Sequence, residues 1–203
     1  MTEFINKKSC YIGKNVKIGK NVIIYENNHI EGNTEIGDNT ILLPNNLIIN
    51  SKIGNDCKIH ASVIEASQIG KDVNIGPYAH LRPNCNIADG CRIGNFVEIK
   101  NSNIGEKCKI AHLAYVGDCD MGANCNIGCG VIFANYDGKN KHRTKVGNHV
   151  FIGSNSNIIA PVNLANDTYI CAGTTITKDT KPKDFVIGRA RQENKSDMAE
   201  KYW

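Results

Sequence analysis

Several signatures of common protein classes are missing from this chain of 203 residues. The first ten residues already carry Glu3, Lys7 and Lys8, so no early segment is apolar enough for a signal peptide or a membrane span. The net charge of +4 is modest, and Lys and Arg are scattered along the chain, which argues against a nucleic-acid surface. We therefore expect a cytoplasmic protein of one domain that engages neither membranes nor nucleic acids.

Three catalytic and metal-binding motifs are missing as well. The sequence contains no Gly-x4-Gly-Lys-Ser/Thr phosphate loop and no Gly-x-Ser-x-Gly nucleophile turn. The nine cysteines are odd in number and include no Cys-x-x-Cys pair. Neither a disulfide framework nor a cysteine-bound metal is therefore expected.

A six-residue repeat runs through nearly the whole chain. Its first position is a large aliphatic residue that is often followed by glycine, and the residue two positions earlier is small or compact, as at Val16 and Val73. Because alternate residues of an extended strand share a face, both positions point into one narrow interior. The repeat is clearest at Ile12, Ile18, Ile24, Ile30, Ile36, Leu42, Ile69, Ile75, Leu81, Ile87, Ile93, Ile99, Ile104 and Ile110.

This repeat predicts an all-β fold, a parallel β-helix built from hexapeptide repeats. Three short strands in each turn of about 18 residues, stacked roughly 4.8 Å apart, make a triangular prism about 45 Å long. An antiparallel sandwich is the alternative, but it would show two-residue alternation with irregular turn spacing. We assign the β-helix to residues 1–180 and a short C-terminal helix or arm to residues 181–203.

The repeat also accounts for most of the cysteines. Cys129 and Cys171 fall outside the small inward position, and the other cysteines occupy it, where Ser, Ala or Val would also serve. These predicted core cysteines are Cys10, Cys57, Cys85, Cys91, Cys108, Cys119 and Cys125.

The segment from Asn135 to Lys145 interrupts the rhythm. A long loop in an otherwise regular chain is more often functional than structural. We therefore expect this loop to form part of a site. Its basic or titratable side chains are Lys139, Lys141, His142, Arg143 and Lys145.

Among the histidines, His112 has the most informative neighbours. It follows the inward Ile110 by two positions, near a corner, and Tyr115 lies three positions further on. A three-histidine zinc site, as in carbonic anhydrases of the left-handed β-helix type, needs a second histidine about five positions later, where this chain has Gly117. A catalytic zinc is therefore not expected.

The motifs from Leu81 onward are more specific than the repeat alone. With them, the chain resembles the acetyltransferase domain of the bacterial bifunctional N-acetylglucosamine-1-phosphate uridyltransferase/glucosamine-1-phosphate acetyltransferase family, over essentially its whole length. The motifs are Leu81-Arg82-Pro83, Gly94-Asn95-Phe96-Val97-Glu98-Ile99-Lys100, His112-Leu113-Ala114-Tyr115-Val116-Gly117-Asp118, Asn126-Ile127-Gly128, Asn135-Tyr136-Asp137-Gly138-Lys139-Asn140-Lys141, Phe151-Ile152-Gly153-Ser154 and Ala190-Arg191-Gln192.

The resemblance implies a left-handed β-helix that transfers an acetyl group from acetyl-CoA to the amine of glucosamine 1-phosphate, a step of UDP-N-acetylglucosamine biosynthesis. It implies that His112 is the general base, because an ammonium cannot attack a thioester and a neutral imidazole can take its proton. Glu98 resembles the carboxylate that orients this histidine. The uridyltransferase domain that precedes the β-helix in the family is missing from the sequence, so no uridylyl transfer is expected.

The remaining roles are also carried over from the resemblance. Arg82, Lys100 and Lys141 would meet the phosphate, and Tyr115 and Asn126 would position the hydroxyls and the amine. Asn135 and Tyr136 would line the sugar and acetyl site, and the N–H of Cys129 would stabilise the oxyanion. Ser154, Ala172 and Arg189 would hold the coenzyme, with Arg189 at a CoA phosphate.

Prisms of this kind commonly pack as trimers, so we expect a homotrimer with active sites at subunit interfaces. Two alternatives stay open: the same chemistry on another amino sugar or nucleotide amino sugar, and a non-catalytic β-helix scaffold. A scaffold has no reason to keep the full set of polar residues together. That set is Arg82, Lys100, His112, Tyr115, Asn126 and Lys141.

Overall fold

The computed structural model describes residues 2–203, and short strands succeed one another along almost the whole chain. The strands are β1 (Glu3–Phe4), β2 (Tyr11–Ile12), β3 (Lys17–Ile18), β4 (Ile23–Ile24), β5 (His29–Glu31), β6 (Glu35–Ile36), β7 (Ile41–Leu42), β8 (Leu47–Ile49), β9 (Lys52–Ile53), β10 (Lys58–Ile59), β11 (Val63–Glu65), β12 (Gln68–Ile69), β13 (Asn74–Ile75), β14 (His80–Leu81), β15 (Asn86–Ile87), β16 (Arg92–Lys100), β17 (Asn103–Ile104), β18 (Lys109–Gly117), β19 (Cys119–Met121), β20 (Asn126–Ile127), β21 (Ile132–Ala134), β22 (Thr144–Val146), β23 (Phe151–Ile152), β24 (Asn157–Ile159), β25 (Asn163–Leu164), β26 (Tyr169–Ile170), β27 (Thr175–Ile176) and β28 (Phe185–Val186).

These strands stack in parallel on three faces, which confirms the predicted left-handed β-helix, here with about ten turns. Face 1 begins with β1, β4 and β7, face 2 with β2, β5 and β8, and face 3 with β3, β6 and β9. The chain passes from face 1 to face 2 to face 3 in each turn. Strands β16 and β18 bend around the corner between faces 1 and 2, so each contributes to both faces.

The interior of the prism is filled by the large residues of the repeat. Ile24, Leu42, Ile59, Ile99 and Phe133 are all completely buried. Burying each such side chain contributes about 1.5–3 kcal/mol to stability. Most of the fold's stability therefore comes from this one continuous column of side chains.

The cysteines mostly behave as predicted core residues. All seven predicted inward cysteines are buried except Cys10, which is half-buried near the end of the prism, and Cys129 is exposed. Burial raises the pKa of the Cys57 thiol to about 11, so this thiol stays protonated and unreactive near neutral pH. Cys171, which lies outside the repeat's inward position, is nevertheless buried, because β28 continues the prism beyond it.

The last strand of the prism is β28, and residues 187–203 follow it. Strand β28 falls within the residues assigned to the arm and pairs with β26. Beyond it the chain is irregular except for one turn of 3-10 helix at Ala199–Lys201. None of the helices in residues 2–203 is long and apolar enough to span a membrane.

Candidate active site

The edge of the prism between faces 1 and 2 carries His112. Strand β18 turns this corner at Leu113, whose φ of 39° is left-handed, and the His112 side chain is exposed there. Its Nδ1 lies 3.0 Å from Oδ1 of Asn95, the residue opposite it on the preceding coil. Because an amide oxygen only accepts hydrogen bonds, Nδ1 carries the proton and Nε2 is left as the basic nitrogen.

Small exposed residues continue this edge on the following coils. The N–H of Gly130 donates to the C=O of Leu113, that of Asn155 to Cys129 and that of Gly173 to Ser154, each at 2.8 Å. His112, Cys129, Ser154 and Ala172 therefore follow one another along the edge at roughly the interstrand spacing of 4.8 Å. Nη1 of Arg189 donates to the C=O of Ala172 at 2.8 Å and places the guanidinium at the far end. We refer to these residues, from His112 to Arg189, as the His112 edge.

Two glycines keep the coils of this edge close together. A Cβ at Gly128 would lie 2.6 Å from the backbone nitrogen of Ser154, and one at Gly153 would clash with that of Ala172. The exposed side chains along this part of the edge are small, namely those of Cys129, Ser154 and Ala172. A thin, flexible ligand arm can lie against such an edge without displacing side chains.

A second feature, which we call the cationic pocket, lies between faces 2 and 3. Its volume is about 580 Å³. It contains five basic side chains and one carboxylate, an excess of positive charge that favours an anion. The lining residues are Arg82, Pro83, Asn84, Lys100, Asn101, Asp118, Lys141, His142 and Arg143.

Asp118 is the buried carboxylate of the cationic pocket. It accepts hydrogen bonds from the side-chain amides of Asn101, at 2.5 Å, and Asn135, and Lys100 Nζ lies 3.9 Å away. Burial alone raises the pKa of Asp118, but the two amides and the charges of Lys100 and Lys141 outweigh it and hold the pKa below its usual range. The carboxylate is therefore ionised and orients the amides and Lys100.

The two lysines of the pocket converge on the same space. Contact with Lys141, followed by partial burial, lowers the pKa of Lys100 from its usual value, since each ammonium disfavours the charge of the other. An anion bound between two such ammonium groups relieves their repulsion. Tyr136, which is opposite Lys141 in the loop, is exposed, and its hydroxyl donates to the C=O of Gly138 at 2.7 Å.

Face 2 connects the edge to the pocket and carries Glu98 and Tyr115. They lie opposite each other on adjacent coils and border an open groove of about 510 Å³ together with Phe96 and Leu113. Glu98 accepts a hydrogen bond from Nη1 of Arg82 at 3.0 Å. The structure thus pairs Glu98 with Arg82, whereas the histidine's partner is Asn95.

The predicted site residues form two groups rather than one. Asn126 lies on face 1, between Lys109 and Phe151, and so belongs with His112 and the edge. The second group is at the cationic pocket. Gly117 lies opposite Lys100 of the pocket and follows His112 by five residues of β18. The two groups are therefore on the order of 10–15 Å apart in one copy.

Asn95, Asp118 and Arg143 are among the residues of the site that were not assigned a role from the sequence. Asn95 and Asp118 stood inside the quoted motifs, and Arg143 inside the loop. Coil spacing could have indicated Asn95 and Asp118, since Asn95 and His112 are 17 positions apart, as are Asn101 and Asp118. Among residues 2–203, no three His, Cys, Asp or Glu side chains are grouped closely enough to hold a metal ion.

The repeat matches a known family model. The bacterial transferase hexapeptide (six repeats) model aligns with residues 15–50, 66–101 and 143–178, which together make up more than half of the chain. The chain belongs to this family. It is a hexapeptide-repeat transferase, in which the interruption from Asn135 to Lys145 overlaps the start of the third matched segment.

Similar curated proteins narrow this assignment. The hexapeptide transferase is 52% identical over 145 residues to the bifunctional protein GlmU of Caldicellulosiruptor saccharolyticus and 55% identical over 151 residues to that of Limosilactobacillus reuteri. These matches cover 71% and 74% of this chain but 31% and 33% of the relatives. The chain thus spans about a third of their length. The resemblance to the acetyltransferase part of this bifunctional family is confirmed and supports an acyltransferase enzyme.

Solved structures share the fold. The structure of an Arabidopsis UDP-N-acetylglucosamine acyltransferase matches with a TM-score of 0.67 and 19% identity, over 88% of this chain and 69% of that chain. The Francisella novicida UDP-N-acetylglucosamine acyltransferase matches with a TM-score of 0.53 and 19% identity, over 90% and 64%. At these identities the similarity establishes the β-helix architecture only.

Proposed function

We propose that this chain is an acetyl-CoA-dependent N-acetyltransferase that converts glucosamine 1-phosphate to N-acetylglucosamine 1-phosphate. The observation that carries the proposal is the cationic pocket, because it gathers several basic side chains around one buried carboxylate beside a face whose other edge carries His112. A sugar that bears both a phosphate and an amine fits this combination. The similarity to GlmU supports acyl transfer by this chain. A cytoplasmic location is part of the proposal.

His112 acts as the general base. With Nδ1 donating to Asn95 at 3.0 Å, Nε2 accepts a proton from the acceptor ammonium and frees the amine lone pair. The amine then attacks the thioester carbonyl of acetyl-CoA and forms the new C–N bond. Collapse of the tetrahedral species breaks the C–S bond. The attacking nitrogen loses its second proton to solvent, and the protonated imidazole returns its proton to the departing CoA sulfur, so that the amide and CoA thiol form with net release of one proton.

The residues of the edge below His112 hold the coenzyme in this proposal. The backbone N–H of Cys129, one coil from His112, donates to the oxyanion. Ser154 and Ala172 line the path of the pantetheine arm with small exposed side chains. Arg189, at the far end of the edge, meets a CoA phosphate, while Asn135 and Tyr136 belong to the sugar and acetyl side.

The acceptor is held by Arg82, Lys100 and Lys141 at its phosphate and by Tyr115 and Asn126 at its hydroxyls and amine. Glucosamine 1-phosphate carries its amine and phosphate on neighbouring ring carbons, so the two groups lie closer together than the edge and the pocket of one copy. We therefore propose a homotrimer in which the His112 edge of one subunit faces the cationic pocket of its neighbour. Each active site is completed at that interface.

Release of CoA thiol from acetyl-CoA tests this function directly. Glucosamine 1-phosphate, glucosamine 6-phosphate and a nucleotide-linked amino sugar are offered separately. We expect the largest kcat/KM for glucosamine 1-phosphate. A larger value for the nucleotide-linked sugar would reassign the acceptor, and no thiol release with any of the three would refute the enzyme assignment.

A further inference from the structure

The loop that leaves the prism after β21 is joined to itself and to the core where it begins. Asn135 is buried, and its side-chain amide donates to Asp118 on the preceding coil. The backbone N–H of His142 donates to the C=O of Asn135 at 2.7 Å. The two strands of the loop are therefore tied together at their base.

Asp137 closes the tip of the loop. Its carboxylate accepts the backbone N–H groups of Lys139, at 2.7 Å, and Asn140, at 2.6 Å, and Nε2 of His142 donates to it at 2.7 Å. These hydrogen bonds hold the pKa of Asp137 well below its usual range; the largest contribution is from the N–H of Asn140, followed by His142 and the N–H of Lys139. The tip is thus a compact unit, and Lys141 moves only as far as the whole loop moves.

Arg143 fastens the returning strand of the loop to the prism. Its Nε and Nη2 each donate to one carboxylate oxygen of Asp120 at 2.6 Å. Its Nη1 donates to the C=O of Asn101 at 2.9 Å, and Nη2 also reaches the C=O of Cys119 at 3.2 Å. Because Arg143 is paired with Asp120 through two parallel hydrogen bonds, it already has its counter-ion and fixes this part of the loop to the prism.

The hydrogen bonds of Arg143 oppose the repulsion between two lysines of the cationic pocket. Lys141 and Lys100 line the same pocket, and like charges repel. A loop tied down only at Asn135 would relax by moving Lys141 away from Lys100. Arg143 is two positions from Lys141, and its four hydrogen bonds reach two coils of the prism.

We propose that Arg143 is the positioning residue of the cationic pocket, which by its clamp on Asp120 holds Lys141 beside Lys100 so that both ammonium groups converge on the acceptor's phosphate. This inference deepens the proposed function and rests on it. It makes Arg143 a determinant of selectivity for phosphorylated over phosphate-free amino sugars, although it does not touch the acceptor itself.

The test compares kinetic constants for glucosamine 1-phosphate and for phosphate-free glucosamine. For Arg143→Ala we expect KM for glucosamine 1-phosphate to rise about 10-fold with kcat within about threefold, the pattern of lost ground-state binding. The kcat/KM for glucosamine should stay within about twofold. Arg143→Lys should not rescue KM, because an ammonium cannot bind Asp120 through two parallel hydrogen bonds.

Lys139→Ala is the matched control, since it removes one positive charge from the same loop without touching an anchor. It should leave KM for glucosamine 1-phosphate within about twofold. If Arg143→Ala does not fold, Asp120→Asn removes the other half of the clamp and should give the same rise in KM. The inference is overturned if Lys139→Ala raises KM as much as Arg143→Ala, or if both acceptors lose activity equally.

Binding of inorganic phosphate separates this inference from the proposed function. Titration followed by NMR should show the amides of Asn101 and Asp118 shifting in the wild type, with about 10-fold weaker binding in Arg143→Ala. Should the wild type release no thiol with any acceptor and still show this loss of phosphate binding, the proposed function fails and the positioning role stands. Unchanged phosphate binding in Arg143→Ala, or no binding by the wild type, refutes the positioning role.

Discussion

A histidine works as a general base only when one ring nitrogen is unprotonated and held toward the reacting group. In this chain the hydrogen bond from His112 Nδ1 to Asn95 supplies that alignment. The resemblance assigned the task to Glu98, which instead pairs with Arg82 in a single copy. Asn95 is neutral, so it orients His112 without adding a negative charge next to the proposed base.

His112→Ala should lower kcat about 10²- to 10⁴-fold, the usual contribution of a general base. The measurement is thiol release with saturating acetyl-CoA and glucosamine 1-phosphate. His149→Ala is the control, because His149 is also exposed but lies on another edge, near Asp167, and it should stay within about twofold of wild type. A loss below about threefold in His112→Ala removes it from the assigned role.

Asp118 links the pocket to the pH dependence of stability. Its folded-state pKa is lowered, so its stabilisation is fully present above the unfolded pKa of about 4 and is lost as pH falls through the folded value. Asp118→Asn should therefore reduce stability at pH 7 by about 1–3 kcal/mol and flatten the decline of Tm in acid. Thermal unfolding from pH 7 to pH 3 measures both effects.

Asp197→Asn is the control for this experiment, since Asp197 lies in the exposed C-terminal arm. Its Tm should follow the wild-type curve across the pH range. If Asp118→Asn instead declines in acid as steeply as the wild type, another carboxylate accounts for the acid sensitivity.

At the scale of strands and coils, the six-residue repeat was enough to predict the fold from the sequence, but it was not enough to predict the contacts of the site. Inward residues such as Ile99 and Cys108 are set by local six-residue periodicity, so they could be predicted from the sequence. The contact between Asn95 and His112 depends on coils of 17 rather than 18 residues, and one shortened hexad shifts every later partner. The bond from Arg143 to Asp120 depends on the path of the loop, which has no periodicity.

Because the coils at the His112 edge stack closely, Gly94 should tolerate no side chain. A Cβ there would clash with the backbone of Ala111, directly before His112. Gly94→Ala should cost about 1–3 kcal/mol, as overpacking usually does, and should lower kcat because it displaces His112. Denaturant unfolding and thiol release measure the two effects.

Gly13→Ala is the matched control for Gly94→Ala. Its Cβ would lie 3.2 Å from the Cα of Glu31, a tight but tolerable contact, far from the site. We expect a smaller loss of stability and an unchanged kcat. Equal losses of kcat in the two variants would show that the effect of Gly94→Ala is not transmitted through His112.

On the scale of the whole molecule, one edge exposes apolar residues in unusual conformations. Most non-glycine residues in the left-handed conformation are Asn or Asp, but Tyr78, Phe96 and Leu113 also adopt it and are 57–63% exposed. The rings of Tyr78 and Phe96 are stacked 5.6 Å apart. Strain and apolar exposure at one edge mark a surface that gains from being covered, which the proposed trimer would do.

Phe96→Asn tests that expectation. Asn tolerates the left-handed conformation better than Phe, so the β-helix should fold with unchanged circular dichroism. The protein concentration at which the trimer dissociates should be at least about 10-fold higher for the variant than for the wild type, as measured by sedimentation velocity. An unchanged association constant would place the subunit interface elsewhere.

In the proposed trimer, the His112 edge of one subunit and the cationic pocket of its neighbour act on one acceptor. Subunit mixing of His112→Ala with Lys141→Ala, measured as kcat/KM for glucosamine 1-phosphate at low acceptor concentration, tests it most directly. In randomly mixed trimers, an intact edge meets an intact pocket at one interface in four, so we predict recovery of about a quarter of wild-type activity. No recovery above the separate variants would contradict the claim, because both groups would then act within one subunit.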